Sequence, residues 1–187
     1  MTWYDWVQRK IEYRIPIKLP VYFYWNYKKA TECEYVVYQT EQLNLSDKSN
    51  HGWFKFMDNA VKVYDFSIIN QQYYPSEFLP IYPEPSESNC GDEIDILFYG
   101  HITPRRQKII DELGATVIEA LEMDKLKYYV NRSRKVLVIG CYNNIYADPF
   151  RICPALDMGG NVLMEHTQET WLENYLIKNM PNRITFL

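Results

Sequence analysis

The chain has 187 residues, of which 47 % are apolar, and a formal net charge of −4 from 24 acidic and 20 basic side chains. That length suits one large domain or two small ones, and that apolar content excludes general disorder. The acidic balance and the lack of a long basic run argue against nucleic acid as a partner, and no apolar run reaches the ~18 residues that would span a membrane.

The first half of the chain is irregular. In "WYDWVQRKI", Trp3, Trp6, Val7 and Ile11 recur at helical spacing. "PVYFYWNY" and "CEYVVYQT" read as strands, and "GWFKFMDNAVKVYDFS" as a helix running into a strand. The stretch "YPEPSESNCGDE", Tyr82 to Glu93, is rich in proline, serine and acids and poor in apolar residues, so it reads as a boundary. Two parts are expected, residues 1–85 and residues 91–187.

The second half alternates. Strands are predicted near 95–99, 115–119, 135–140 and 161–165, with a short final strand in "RITFL". Between them lie the helical segments "PRRQKIIDELG", "MDKLKYYVNRSR", "DPFRICPALDMGG" and "TQETWLENYLIKNM", the last with Thr167 as its cap. Pro154 inside the third segment predicts a kink or a late start. "KVLVIGCY" is apolar without alternation, as a strand covered on both faces requires. The expected fold is α/β, a Rossmann-like parallel sheet flanked by helices, with a reduced N-terminal α/β half.

The remaining composition adds little chemistry. There are 17 Tyr and 5 Trp, and any one such ring is more often core than ligand platform. Cys33, Cys90, Cys141 and Cys153 form no CxxC pair, so they read as small thiols in a reducing compartment and not as metal ligands. "MTWYDWVQRKIEYR" is charged throughout and reads as no secretion signal, so a cytoplasmic location is expected.

A parallel sheet binds ligands beyond the carboxyl ends of its strands. That rule selects Gly100, His101, Thr103, Arg105 and Arg106 after the first strand of the second half. It selects Tyr142, Asn143, Asn144 and Asp148 after the third, and Glu165 with His166 after the fourth. Gly100 permits close backbone approach, the helix opening near Pro104 offers N–H donors, and Arg105 and Arg106 add charged forks. A diphosphate suits this set; an ordinary strand–turn–helix with solvated arginines is the plain alternative. Asp148 and Arg151, three residues apart, either form a second part of the crevice or a simple helix pair. "GHITPRR" matches neither GxGxxG nor a Walker loop.

The stretch "DILFYGHITPRRQKIIDEL" resembles the start of the C-terminal domain of GT-B type glycosyltransferases, which begins with a strand, a "YG" turn and a paired arginine. "RSRKVLVIGCYNNIYADPFRICPALDMGGNVLMEH" is similar to the later donor-helix stretch of one such family, with Asp148, Arg151, Ile152, Ala155, Leu156 and Glu165 on matching positions. "EYVVYQTEQL", "DNAVKVYDFSIIN" and "EFLPIYPEP" resemble upstream elements of that family, so the likeness runs over residues 33 to 187. Two departures stand out: Pro154 replaces a donor-helix Glu, and the N-terminal half is shorter than a usual acceptor domain.

The resemblance implies a metal-independent transfer of a sugar from a nucleotide-sugar donor to a glycan or other hydroxyl acceptor, with no further cofactor. Arg105, Arg106 and Arg151 would face the diphosphate, Glu165 and Asp148 would recognise hydroxyls, and backbone near Tyr142 to Asn144 would touch the nucleotide. If configuration inverts, a carboxylate must act as base; Glu41 and Asp65 are the first-half candidates, with a structural role as the alternative for each. The short first half implies that the acceptor meets a reduced surface, a second subunit or a separate partner. The competing classes are a non-catalytic nucleotide- or sugar-binding module and a partner-binding assembly domain.

Overall fold

The computed structural model describes residues 1–30, 33–43, 51–84, 86–119, 122–141 and 145–187, with the side chain of His51 outside the description. Two compact units emerge: Gln8–Ile81, and Met1–Val7 together with Tyr82–Leu187. Each carries a sheet whose strands all run parallel. Among the described residues, no helix is long and apolar enough to cross a membrane.

In the unit Gln8–Ile81, the strands are β1 (Val21–Tyr22), β2 (Val36–Gln39), β3 (Lys62–Asp65) and β4 (Glu77–Phe78), in the order β1-β2-β3-β4. All four residues of β2 are buried, which explains its run of apolar and aromatic residues without alternation. The helix α2 (His51–Asp58) sets Trp53 and Met57 against Tyr35, Val37 and Val63. The strand expected over "PVYFYWNY" shrinks to two residues. Asn26 Oδ1 accepts from Phe23 N at 2.7 Å, and this side-chain turn leads into a single 3-10 turn at Tyr27–Lys29.

In the second unit the sheet comprises β5 (Ile94–Tyr99), β6 (Thr116–Ile118), β7 (Ser133–Val138), β8 (Val162–Met164) and β9 (Ile184–Phe186). Its order is β6-β5-β7-β8-β9, with Leu97 opposite both Thr116 and Val136. This is the α/β, Rossmann-like arrangement that the alternating pattern predicts. The helices are α3 (Pro104–Leu113), α4 (Met123–Val130), α5 (Pro149–Asp157) and α6 (Trp171–Asn179), preceded in the chain by α1 (Trp3–Glu12).

The pleat divides the core. Leu97, Tyr99, Val136, Val138, Val162 and Met164 pack with residues of α4, α5 and α6. Phe98, Leu137, Ile139 and Leu163 pack against Ile110 of α3. Central strands buried on both faces must be apolar at every position, and "ILFY" and "VLV" are. The helix α3 starts at Thr103, whose side chain accepts from Arg106 N, and ends at Gly114 in the left-handed conformation at φ 63°.

Three boundaries differ from the sequence expectation. The helix α4 stops at Val130, Asn131 and Arg132 form a turn, and Ser133 and Arg134 belong to β7, where Ser133 pairs with Ile94. Thr167 does not cap α6, which begins four residues later; Thr167 N and Oγ1 instead donate to the buried Glu173 carboxylate. The described residues of 82–93 are a strap and not a loose linker: Glu84 N donates to Asp157 Oδ1 at 2.6 Å, Ser86 Oγ to Leu156 O at 2.7 Å, and Asn89 N to Gly159 O at 2.9 Å. Met1–Val7 join the same unit through Met123 N to Met1 O at 3.0 Å and Trp3 Nε1 to Phe150 O at 2.9 Å.

Candidate anion-binding site

The strand order reverses between β5 and β7: the connection leaving β5 runs to β6 on one side, and the connection leaving β7 runs to β8 on the other. Connections diverge at such a point and leave a crevice beyond the carboxyl ends. The residues after β5 and β7 meet there. Thr103 Oγ1 donates to Cys141 O at 2.7 Å, and Arg105 Nη1 to Gly140 O at 3.0 Å, so both bonds cross the switch point. Gly100 turns the chain out of β5 at φ 117°, a conformation that side chains rarely adopt.

Three guanidiniums converge on these strand ends. Arg106 donates to Ile139 O through Nε at 3.1 Å and Nη2 at 2.9 Å, and to His101 O through Nη1 at 2.7 Å. Arg151 donates to Ile139 O through Nη2 at 2.5 Å, to Tyr99 O through Nη1 at 3.3 Å, and to Asp148 Oδ2 through Nε at 2.8 Å. Both lie over the Phe98 ring, 5.8 Å and 5.4 Å from its centroid. Arg105 forms a two-point pair with Glu165, Nη1 lying 3.0 Å from Oε2 and Nη2 against Oε1. Gly140 N donates to the same Oε2 at 3.1 Å.

Among the described residues, three guanidiniums thus meet two carboxylates, Asp148 and Glu165, and their charge is not balanced. Burial, and next the neighbouring Arg151, push Arg106 below the ordinary arginine range, while Asp148 opposes them. An added anion at these strand ends would relieve that repulsion. Tyr99, wholly inside, has its phenol pushed upward by burial and donates to Arg151 O at 2.8 Å.

Several sequence expectations change in role. Arg106 and Arg151 are not solvated donors; they are 5 % and 8 % exposed and hold backbone carbonyls. Thr103 is buried as well, and serves as cap and as bridge to Cys141. The first turn of α3 is less open than expected, since Pro104 has no N–H and Gln107 N already reaches Thr103 O at 2.8 Å. Gly100, His101, Arg105, Asp148 and Glu165 keep contact with solvent. Tyr142, Asn143 and Asn144 lie outside the described residues.

Glu41 and Asp65 belong to the unit Gln8–Ile81, at the ends of β2 and β3. Asp65 is fully buried, which does not suit a base that must reach a substrate hydroxyl. Its Oδ1 accepts from Ser67 N at 2.8 Å and Asn70 Nδ2 at 3.1 Å. Glu41 is half-buried, and burial pushes its carboxyl above the usual range.

The sequence gives no hint of three partners: the Phe98 ring under two guanidiniums, the Gly140 N–H, and Glu173. The last is a buried carboxylate 3.0 Å from His166 Nδ1, with the His166 ring stacked on Phe186 at 4.0 Å. Only the proximity of Glu165 and His166 to a strand end pointed there. Among the described residues, no group of three His, Cys, Asp or Glu side chains is placed to hold a metal ion. No protein-family model, curated protein or solved structure matches the chain.

Proposed function

We propose that the second unit binds the diphosphate of a nucleotide sugar beyond β5 and β7, and that the chain is a glycosyltransferase acting on a hydroxyl acceptor without a metal. The observation that carries the anion reading is the excess of guanidinium over carboxylate at the switch point, with Arg105 spanning it. The transferase reading rests on the motif resemblance around Arg105, Arg151 and Glu165. Fixed guanidinium charge would stabilise a departing diphosphate in place of a cation. The four cysteines form no disulfide with one another, which suits the cytoplasmic setting that this reading includes.

A second reading has its own support. Pro154 stands in α5 where the resembled family carries a Glu, and Asp65 is enclosed. Both favour a nucleotide- or sugar-binding module without turnover.

A thermal-shift screen with uridine, guanosine, thymidine and adenosine diphosphates and their sugar conjugates, with and without Mg²⁺, tests the binding. A ligand at a hundredfold excess over Kd stabilises by about 2.7 kcal/mol. A shift independent of Mg²⁺ is expected; no shift with any nucleotide overturns the anion reading. Release of nucleoside diphosphate from the bound conjugate separates enzyme from module.

A further inference from the structure

We infer that the Glu165 carboxylate occupies the seat of the ligand's phosphate and must leave Arg105 for the ligand to bind. This rests on the diphosphate reading above and deepens it, because it turns Glu165 from a hydroxyl-recognising residue into an internal competitor.

The seat has the donor set of an anion site. The Arg105 fork presents two N–H groups to one carboxylate, and Gly140 N–H, just past β7, points at the same Oε2. A planar fork joined to a backbone N–H at a strand end suits a phosphoryl group as well as a carboxylate. Arg105 is also fixed from behind, since Nη1 holds Gly140 O at 3.0 Å. The fork is therefore pre-set and does not depend on Glu165 for its position.

The other two guanidiniums differ from Arg105. Arg106 and Arg151 spend their donors on carbonyls inside the protein. Arg105, whose side chain is 31 % exposed, is the member of the three that solvent reaches, and Glu165 opposite it is 16 % exposed. An incoming anion would meet this pair first. A diphosphate brings more charge than one carboxylate and adds attraction to the Arg106 and Arg151 charges behind the fork. Exchange of Glu165 for phosphate is then favourable. The carboxylate, released from its fork, becomes free to accept hydroxyl donors of the same ligand.

The sign of one substitution separates this from direct recognition. Glu165→Gln removes the competing charge and leaves Arg105 held by Gly140. Inorganic pyrophosphate, which has no sugar hydroxyl, is the probe. By calorimetric titration it should bind Glu165→Gln about tenfold more tightly than the parent, the gain expected when one partly exposed charge pair no longer has to be broken. The gain should vanish in Arg105→Gln/Glu165→Gln. Glu165→Asp, which keeps the charge but shortens its reach, should fall between parent and Gln and serves if the Gln variant folds poorly. Equal or weaker pyrophosphate binding by Glu165→Gln, with binding by the parent intact, overturns the inference and leaves the diphosphate reading standing. No binding by parent or variant overturns both.

Discussion

Arg106 and Arg151 donate to the same carbonyl oxygen, that of Ile139, just beyond the carboxyl end of β7. Two like charges are held together by shared acceptors and by Asp148, whose Oδ2 lies 2.8 Å from Arg151 Nε and 4.0 Å from Arg106 Nη2. The strand ends here expose carbonyls that no further strand residue pairs, and the guanidiniums take the place of water.

Arg106 is thus part of the frame. Arg106→Ala strips the donor from His101 O, takes one of two guanidiniums from Ile139 O, which Arg151 still holds, and leaves Asp148 beside a smaller counter-charge. A hydrogen bond from a charged group contributes about 1.5–3 kcal/mol, so a loss of at least about 1.5 kcal/mol is expected. Urea denaturation of parent and variant measures it. A loss within ~0.5 kcal/mol, usual for surface positions, would show that the guanidinium is dispensable to the fold.

Arg105 should behave in the opposite way. Its pair with Glu165 is partly solvated, and pairs of that kind contribute about 1 kcal/mol or less to stability. Arg105→Ala should therefore unfold at nearly the parent's denaturant midpoint. A charge-assisted hydrogen bond to phosphate is worth roughly 1.5–3 kcal/mol, so nucleoside diphosphate affinity should fall about ten- to a hundredfold. Arg105→Lys should recover only part of that, since an ammonium cannot form the fork. Calorimetric titration gives all three affinities, and parent-like binding by Arg105→Ala would place the anion elsewhere.

These contrasting roles show where sequence reading succeeds and stops. The strands β5, β7 and β8 are legible because residues such as Phe98 and Val136 are buried on both sides, leaving unbroken apolar runs. The stop at Gly114 and the start at Thr103–Pro104 are legible from local turn chemistry. "PRR" alone cannot say that one arginine faces solvent and the next is enclosed. That depends on α3 resting on the face that holds Phe98 and Ile110, which turns Arg106 inward. Residues 82–93 look like a linker because they are poor in apolar side chains, yet Glu84 N and Ser86 Oγ bond the end of α5. Hydrogen bonds to distant backbone leave no periodic trace in composition.

Glu41 gives a pH prediction. Burial raises its carboxyl pKa in the folded state above its ordinary value, so between the two values the folded state binds more protons than the unfolded one. Stability falls with rising pH through that window, because the slope follows protons bound by the unfolded state minus those bound by the folded state. Glu41→Gln has no proton to lose. The variant should gain stability relative to the parent as pH rises from the ordinary carboxylate value through the raised one. The gain should be complete at neutral pH and absent well below the ordinary value. Thermal melts of both proteins from pH 3 to pH 8 test this, and a pH-independent difference would mean that Glu41 does not titrate abnormally.

The final prediction concerns Pro154, buried inside α5. A proline has no N–H, so the carbonyl four residues earlier, that of Phe150, loses its helical donor. The indole Nε1 of Trp3 donates to Phe150 O at 2.9 Å, and the two rings meet edge-on at 6.3 Å. Trp3 thus supplies from outside the helix what Pro154 withholds from within. Trp3→Phe should cost about 1–3 kcal/mol, from the carbonyl left without this donor. In Pro154→Ala the helix regains its own N–H at that position, so the same Trp3→Phe change should cost less. A double-mutant cycle by urea denaturation should show coupling above the ~0.5 kcal/mol scatter of independent sites. Strict additivity would mean that the indole contributes packing alone, and that Phe150 O has another route to satisfaction.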